Sequence, residues 1–348
     1  MTRSFSGDIT KFVAHVESLS TSFPVVSVLM EAGKGHANDN VRTYLEDKGV
    51  PVDSDSDRPA YRLPASEFAG FRRLERKQEH WRHASTIIPR SFLVSLVSQF
   101  DAYMGSLVRT MFDVQPDLLN SSERNMSFRQ LMEFPSIEEA RRYIVDKEVE
   151  SILRESHASQ FDWLERKLNM PLRKGLDAWP AFVELTQRRN LFVHADGMVS
   201  SQYLEVCRDH GFPMDEDVCV GTELGVDMKY FKEAYRHIFE VGVKLGHVLW
   251  RKLAPNDREA ADDHLNGIVF ELLGNKEHKL AIALGQFGGH EIKQHSEERI
   301  RLFMLINLAQ AYKWAGSQEQ CEKVLDSIDF SARGPEYVYC SRFPGIVI

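Results

Sequence analysis

The chain has 348 residues, 43% of them hydrophobic, and a formal net charge of −8. The length exceeds an ordinary single domain, and the apolar content excludes bulk disorder. The acidic balance excludes a general basic coat for nucleic acid, so any phosphate contact must come from a local patch.

Residues 9–22 are periodic enough for a first helix, which Phe23-Pro24 is predicted to close. Val25 to Met30 fits either a strand or a buried turn of helix. Residues 48–64 hold Gly49, Pro51, three aspartates within 53–57, Pro59 and Pro64, which predicts a loop or a mobile tether. Residues 66–84 read as a charged helix with Phe68, Phe71, Leu74 and Trp81 along one stripe. It carries a basic run, Arg72, Arg73, Arg76, Lys77 and Arg82, interspersed with Glu75 and Glu79. His80 and His83 on the same helix could share a face, but no third metal ligand accompanies them, and no metal site is expected. Pro89 suits the first turn of a second helix, 89–112, whose apolar residues go most of the way round and mark it as central. Asp101 interrupts that apolar run.

Further helices are predicted at 137–157, 159–169, 178–195, 200–210 and 227–253, with Gly197 just past the end of the third. Residues 212–226 suggest a small hairpin or an irregular loop. Ala254-Pro255-Asn256-Asp257 is the best boundary, after which paired helices follow, clearest at 302–314 and 317–328. Leu308, Ala309, Tyr312, Gly316, Cys321 and Leu325 there resemble a tetratricopeptide repeat. The expected organisation is an N-terminal extension (1–65), a helical bundle (66–254) and a short helical-repeat tail (255–348), all-α throughout.

Cys207, Cys219, Cys321 and Cys340 lack CxxC spacing, so reduced thiols are expected rather than disulfides or zinc. Met1 to Phe5 lacks a signal-peptide apolar run, and no window approaches the ~18 uninterrupted apolar residues of a membrane span. These features predict a soluble cytoplasmic protein. Gly288-Gly289 lacks the Gly-Lys-Ser/Thr ending of a phosphate loop, and no cofactor is expected.

The stretch that carries chemistry is Arg188-Arg189-Asn190-Leu191-Phe192-Val193-His194. Metal-free RNA cleavage needs a base for the ribose 2′-hydroxyl, an acid for the leaving oxygen, and a counter-charge for the phosphate. Histidine performs either proton transfer near neutral pH, and arginine offers a planar fork matched to phosphate oxygens. Asn190 can orient the imidazole or donate to phosphate. Positions five apart differ by about 140° on a helix, so Arg189 and His194 converge only if the helix ends near Val193 or if two copies face each other. The same residues could instead cap and charge-balance a helix terminus.

Arg189-Asn190-Leu191-Phe192-Val193-His194 resembles the active motif of the HEPN superfamily: Arg, four to six residues, then His, often with Asn after the Arg. The resemblance covers roughly residues 66–254. It implies an α-helical, often dimeric, metal-independent endoribonuclease of the kind found among toxins and antiviral effectors. By that resemblance Arg189 and His194 are the catalytic pair, Asn190 positions, and Asp101 and Arg188 are candidate substrate-binding residues. The partners implied are RNA, a second copy and, through the tail, a protein regulator. The alternative is a non-catalytic interaction or nucleotide-binding protein acting as a scaffold.

Overall fold

A computed structural model describes residues 3–52, 59–121 and 126–328; Cys340 and the aspartates of 53–57 lie outside them. It is 77% helix and 3% strand, so the all-α expectation holds. Its helices are α1 (Phe5–Lys48), α2 (Phe68–Val114), α3 (Phe128–Leu131), α4 (Ile137–Leu153), α5 (His157–Leu168), α6 (Trp179–His194), α7 (Ser201–Asp209), α8 (Met228–Leu253), α9 (Arg258–Gly274), α10 (His278–Gln286), α11 (Glu298–Trp314) and α12 (Gln318–Asp326). The chain divides into two compact units that interleave in sequence. Of the described residues, those within 3–13, 100–179 and 236–328 form the first, and those within 14–99 and 180–235 form the second.

The largest departure from expectation lies at the two prolines. Pro24 does not close a helix, and Pro89 does not start one; each stands inside a helix of more than forty residues. A mid-helix proline removes one hydrogen bond and costs about 3 kcal/mol. Here aromatic burial offsets it, because Phe23 stacks 4.0 Å from Phe231 and meets Phe92 edge-on at 5.2 Å. The segment Val25 to Met30 is accordingly helix, with Val25, Val28 and Leu29 exposed and only Met30 buried. α1 contains a window long and apolar enough to cross a membrane by length and composition, 22% of it buried.

In the second unit, α1 and α2 run antiparallel. His15 meets Gln99, Gly33 lies under Trp81, Asn38 accepts from Gln78, and the Tyr44 hydroxyl donates to Glu67. The inward residues keep a seven-residue spacing: Phe23, Met30, Ala37 and Tyr44 on α1, and Phe71, Gln78, Ser85 and Phe92 on α2. That is the repeat of an antiparallel coiled coil. The predicted loop at 48–64 includes two short antiparallel strands, β1 (Val50–Val52) and β2 (Ala60–Arg62), paired with Pro51 opposite Tyr61.

In the first unit, Phe12 stacks on Tyr103 at 4.3 Å, and the Tyr103 hydroxyl donates to the Gly242 carbonyl. A Cβ at Gly246 would stand 2.1 Å from that hydroxyl, so only glycine fits there. Helices α9 to α12 pack in succession. Leu302, Leu305, Leu308, Ala309, Cys321 and Val324 form the core between α11 and α12, with Tyr312 and Leu325 against it. Gly316, at φ +80°, turns the chain between them. Gly288 and Gly289 are buried in a π-helical turn, Phe287–Glu291.

A buried polar cluster also lies in this unit. Asp262, fully buried, accepts from Arg251 at 2.6 Å, meets His295 at 3.0 Å, and accepts from the Ser296 amide at 2.7 Å. His247 Nε2 lies 3.2 Å from His264 Nδ1, and His264 Nε2 lies 3.0 Å from the Thr10 hydroxyl. Burial holds His247 well below its ordinary value, with His264 and Arg251 adding to the shift, and burial also lowers His264. The folded state therefore disfavours protonation of both rings, His247 most strongly, whereas the unfolded chain takes up protons. Their contribution is fully present above the ordinary histidine value and is lost as pH falls below about 6.5. We expect the unfolding free energy to decline between about pH 7 and pH 5, and His247→Phe to flatten that decline by about one proton. Denaturant titrations across the range measure it; an equal slope in the variant contradicts it.

Candidate functional site

The motif lies on α6 in the second unit. Phe182, Val183, Glu184, Leu185 and Thr186 are all buried, so this part of the helix is enclosed on every side. Further on, Leu191 alone is buried, while Val193 and His194 are exposed. His194 is the last helical residue, so the helix does not stop at Val193. Around the axis of α6, positions 189 and 194 lie about 140° apart. Asn190 and His194, four residues apart, differ by only about 40° and share a face.

The chain then leaves the helix through two left-handed residues, Asp196 at φ +48° and Gly197 at φ +81°. The amides of Ala195 and Gly197 both donate to the Leu191 carbonyl, at 2.8 and 3.1 Å. Residues 212–226 form an irregular loop rather than a hairpin, and its return segment pairs with the chain after α6. The Leu224 amide donates to the Gly197 carbonyl, and the Val199 amide to the Thr222 carbonyl, each at 2.9 Å.

A residue that sequence reasoning missed holds this junction. Arg90, 7% exposed, donates from Nη1 to the carbonyl and carboxylate of Asp196 at 3.1 and 3.0 Å. Its Nη2 donates to Glu223 at 2.6 Å and to the Leu224 carbonyl at 2.9 Å. Its guanidinium lies 5.2 Å from the Phe192 ring centre. One planar fork thus ties both strands of the loop to the end of α6, two residues after His194. The available signal was an arginine following Pro89 at the head of a strongly apolar run.

Gly197 is required beneath that fork. A Cβ there would stand 2.9 Å from Arg90 Nη2 and 3.0 Å from the Leu224 carbonyl, on a backbone that L side chains rarely adopt. Gly197→Ala is expected to cost about 1–2 kcal/mol in thermal unfolding. Gly225→Ala, where nothing lies within 4 Å, is the control and should move little.

Arg188 pairs with an acid. Its Nε donates to buried Glu184 at 2.7 Å, and its guanidinium lies 3.9 Å from the Tyr230 ring centre. Glu184 also accepts from the hydroxyls of Tyr203 at 2.6 Å and Tyr230 at 2.8 Å. Burial opposes the Arg188 charge, but Tyr230, Glu184 and Tyr203 outweigh it and hold the group above its ordinary value. Burial, then Glu184, pushes the neighbouring Cys207 thiol up to about 12, which leaves it unreactive. Arg188 lies about 160° around the helix from Asn190, away from the Asn190–His194 face. It lines an open groove of about 690 Å³ with Asp215, Asp227, Lys229, Tyr230 and Glu233. Three carboxylates against two cations suit that groove poorly to phosphate.

Asp101 belongs to the first unit. Its Oδ1 meets His157 Nε2 at 2.8 Å, a partner the sequence did not suggest for that histidine. His80 and His83 lie on the exposed side of α2, and no group of three or more His, Cys, Asp or Glu side chains that could hold a metal exists among the described residues. The chain matches no protein-family model, and neither a curated protein nor a solved structure is similar to it.

Proposed function

We propose that this chain is a metal-independent endoribonuclease of HEPN type, acting as a homodimer in microbial defence or as a toxin. The observation that carries the reading is the exposed His194 imidazole at the last residue of α6, with Asn190 one turn before it and the junction behind it clamped by Arg90. Because positions 189 and 194 lie about 140° apart around α6, the guanidinium and the imidazole that meet one phosphate come from two copies. His194 takes the 2′-hydroxyl proton or delivers a proton to the departing 5′-oxygen; the freed 2′-oxygen attacks phosphorus; Arg189 balances the charge on the phosphoryl oxygens. Asn190 orients the imidazole or donates to phosphate. The hairpins α9 to α12, tetratricopeptide-like in their small-residue contacts, supply a surface for a regulator.

The test is cleavage of mixed-sequence RNA. The expected products are 2′,3′-cyclic phosphate and 5′-hydroxyl ends, formed in excess chelator and prevented by 2′-deoxy substitution. Cleavage of the deoxy substrate, or dependence on added metal, would overturn the mechanism. A second reading, an interaction scaffold without catalysis, is favoured by the 140° separation of Arg189 and His194 in one chain. It predicts intact RNA at any protein concentration.

A further inference from the structure

The coiled coil of the second unit turns the apolar residues of α2 inward and leaves its outer face free for charge. At 100° per residue, Arg73, Arg76, Lys77, His80 and His83 fall in one sector of about 120°, facing away from Phe71, Leu74, Gln78 and Trp81. All five are exposed. The carboxylates of this stretch sit to one side and are already engaged, Glu75 by Arg72 at 2.6 Å and Glu79 by Arg82 at 3.9 Å. Among the described residues, none of Arg73, Arg76 and Lys77 has an ion-pair partner. The result is a cationic ridge about 15 Å long on a chain of net charge −8.

We propose that this ridge binds the RNA backbone and delivers the strand to the cleavage site; the choice of RNA rests on the ribonuclease reading. The guanidinium forks match phosphate oxygens, and one helical turn sets successive cations about 5–6 Å apart on a stiff support. Between Arg73 and His83 the sector carries no Phe, Tyr, Trp or aliphatic side chain, and its only rings are the imidazoles of His80 and His83. The contact is therefore to phosphate and indifferent to base sequence. A bilayer surface suits it less, since interfacial helices bury an apolar face that this ridge lacks.

The experiment uses the full chain carrying His194→Ala, so that RNA survives. Fluorescence anisotropy with a short single-stranded RNA is followed from about 0.05 to 1 M salt. Losing three phosphate contacts in Arg73→Gln/Arg76→Gln/Lys77→Gln should reduce the slope of log affinity against log salt by about 2. Binding should weaken about 50-fold near 0.15 M salt and converge with the parent near 1 M. Arg72→Gln, at an ion-paired position beside the ridge, should lower the slope far less. An unchanged slope in the triple variant, with its helicity intact, overturns the proposal. So does unchanged RNA binding with loss of binding to phosphatidylglycerol vesicles, which would make the ridge a membrane contact. Failure of the cleavage reading shows elsewhere, as equal cleavage by the His194→Ala and unsubstituted chains.

Discussion

His194→Ala is expected to lower RNA cleavage by roughly 10²–10⁴-fold, the usual contribution of a positioned proton-transfer group. Stability should change by less than about 1 kcal/mol, because the side chain is exposed. Arg189→Ala should cause a loss of similar size, since a charge that balances the transition state has no substitute in water. Arg189→Lys should recover little, because an ammonium lacks the fork. Single-turnover cleavage and thermal unfolding, run on the same preparations, separate the two effects. Wild-type rates in His194→Ala, or a collapse of the fold, would leave the histidine without a chemical role.

The second large effect is structural. Glu184, 2% exposed, accepts from Arg188, Tyr203 and Tyr230. Glu184→Ala removes the only carboxylate among the described residues that is hydrogen-bonded to the largely buried Arg188, and leaves two tyrosine hydroxyls to find new acceptors. Breaking a buried pair from one side costs about 3–5 kcal/mol. Replacing both charges at once, in Glu184→Leu/Arg188→Leu, should recover much of that loss, because no orphaned charge remains. Chemical denaturation measures both variants. A loss below about 1 kcal/mol in Glu184→Ala would mean that water reaches Arg188 readily. The network accounts for Arg188, whose Nε donates to Glu184 and whose guanidinium lies over Tyr230; the Nε of the adjacent Arg189, 100° around the helix, is buried too.

The sequence showed where the helices lie more clearly than how they associate. α4 to α8 and the α11–α12 pair follow the apolar periodicity closely. The long hairpin was hidden because Gly33, Ala37, Gln78 and Ser85 occupy inward positions, which dilutes the apolar signal of the heptad. Pro24 and Pro89 then argued for breaks that the buried Phe23–Phe92–Phe231 stack outweighs. At the motif, residue types and spacing pointed to Arg189, Asn190 and His194. The helix predicted over 178–195 and its terminator Gly197 match α6, but local pattern could not show the loop that returns at Leu224 to pair with Gly197. Nor could local periodicity reveal Arg90, whose partners lie more than a hundred residues away. Asp101 stood out as a polar interruption and proves to be the partner of His157, a pairing across 56 residues that no local pattern encodes.

The central claim is a phosphate site assembled from two copies, one lending His194 and the other Arg189. Co-expressing His194→Ala and Arg189→Ala chains tests it directly. Each inactive homodimer lacks one partner at both sites, whereas a mixed dimer regains one complete site. If pairing is random, half the dimers are mixed, and cleavage should return to about a quarter of the unsubstituted level. Mixed dimers that form and stay as inactive as either parent would contradict a site shared in this way.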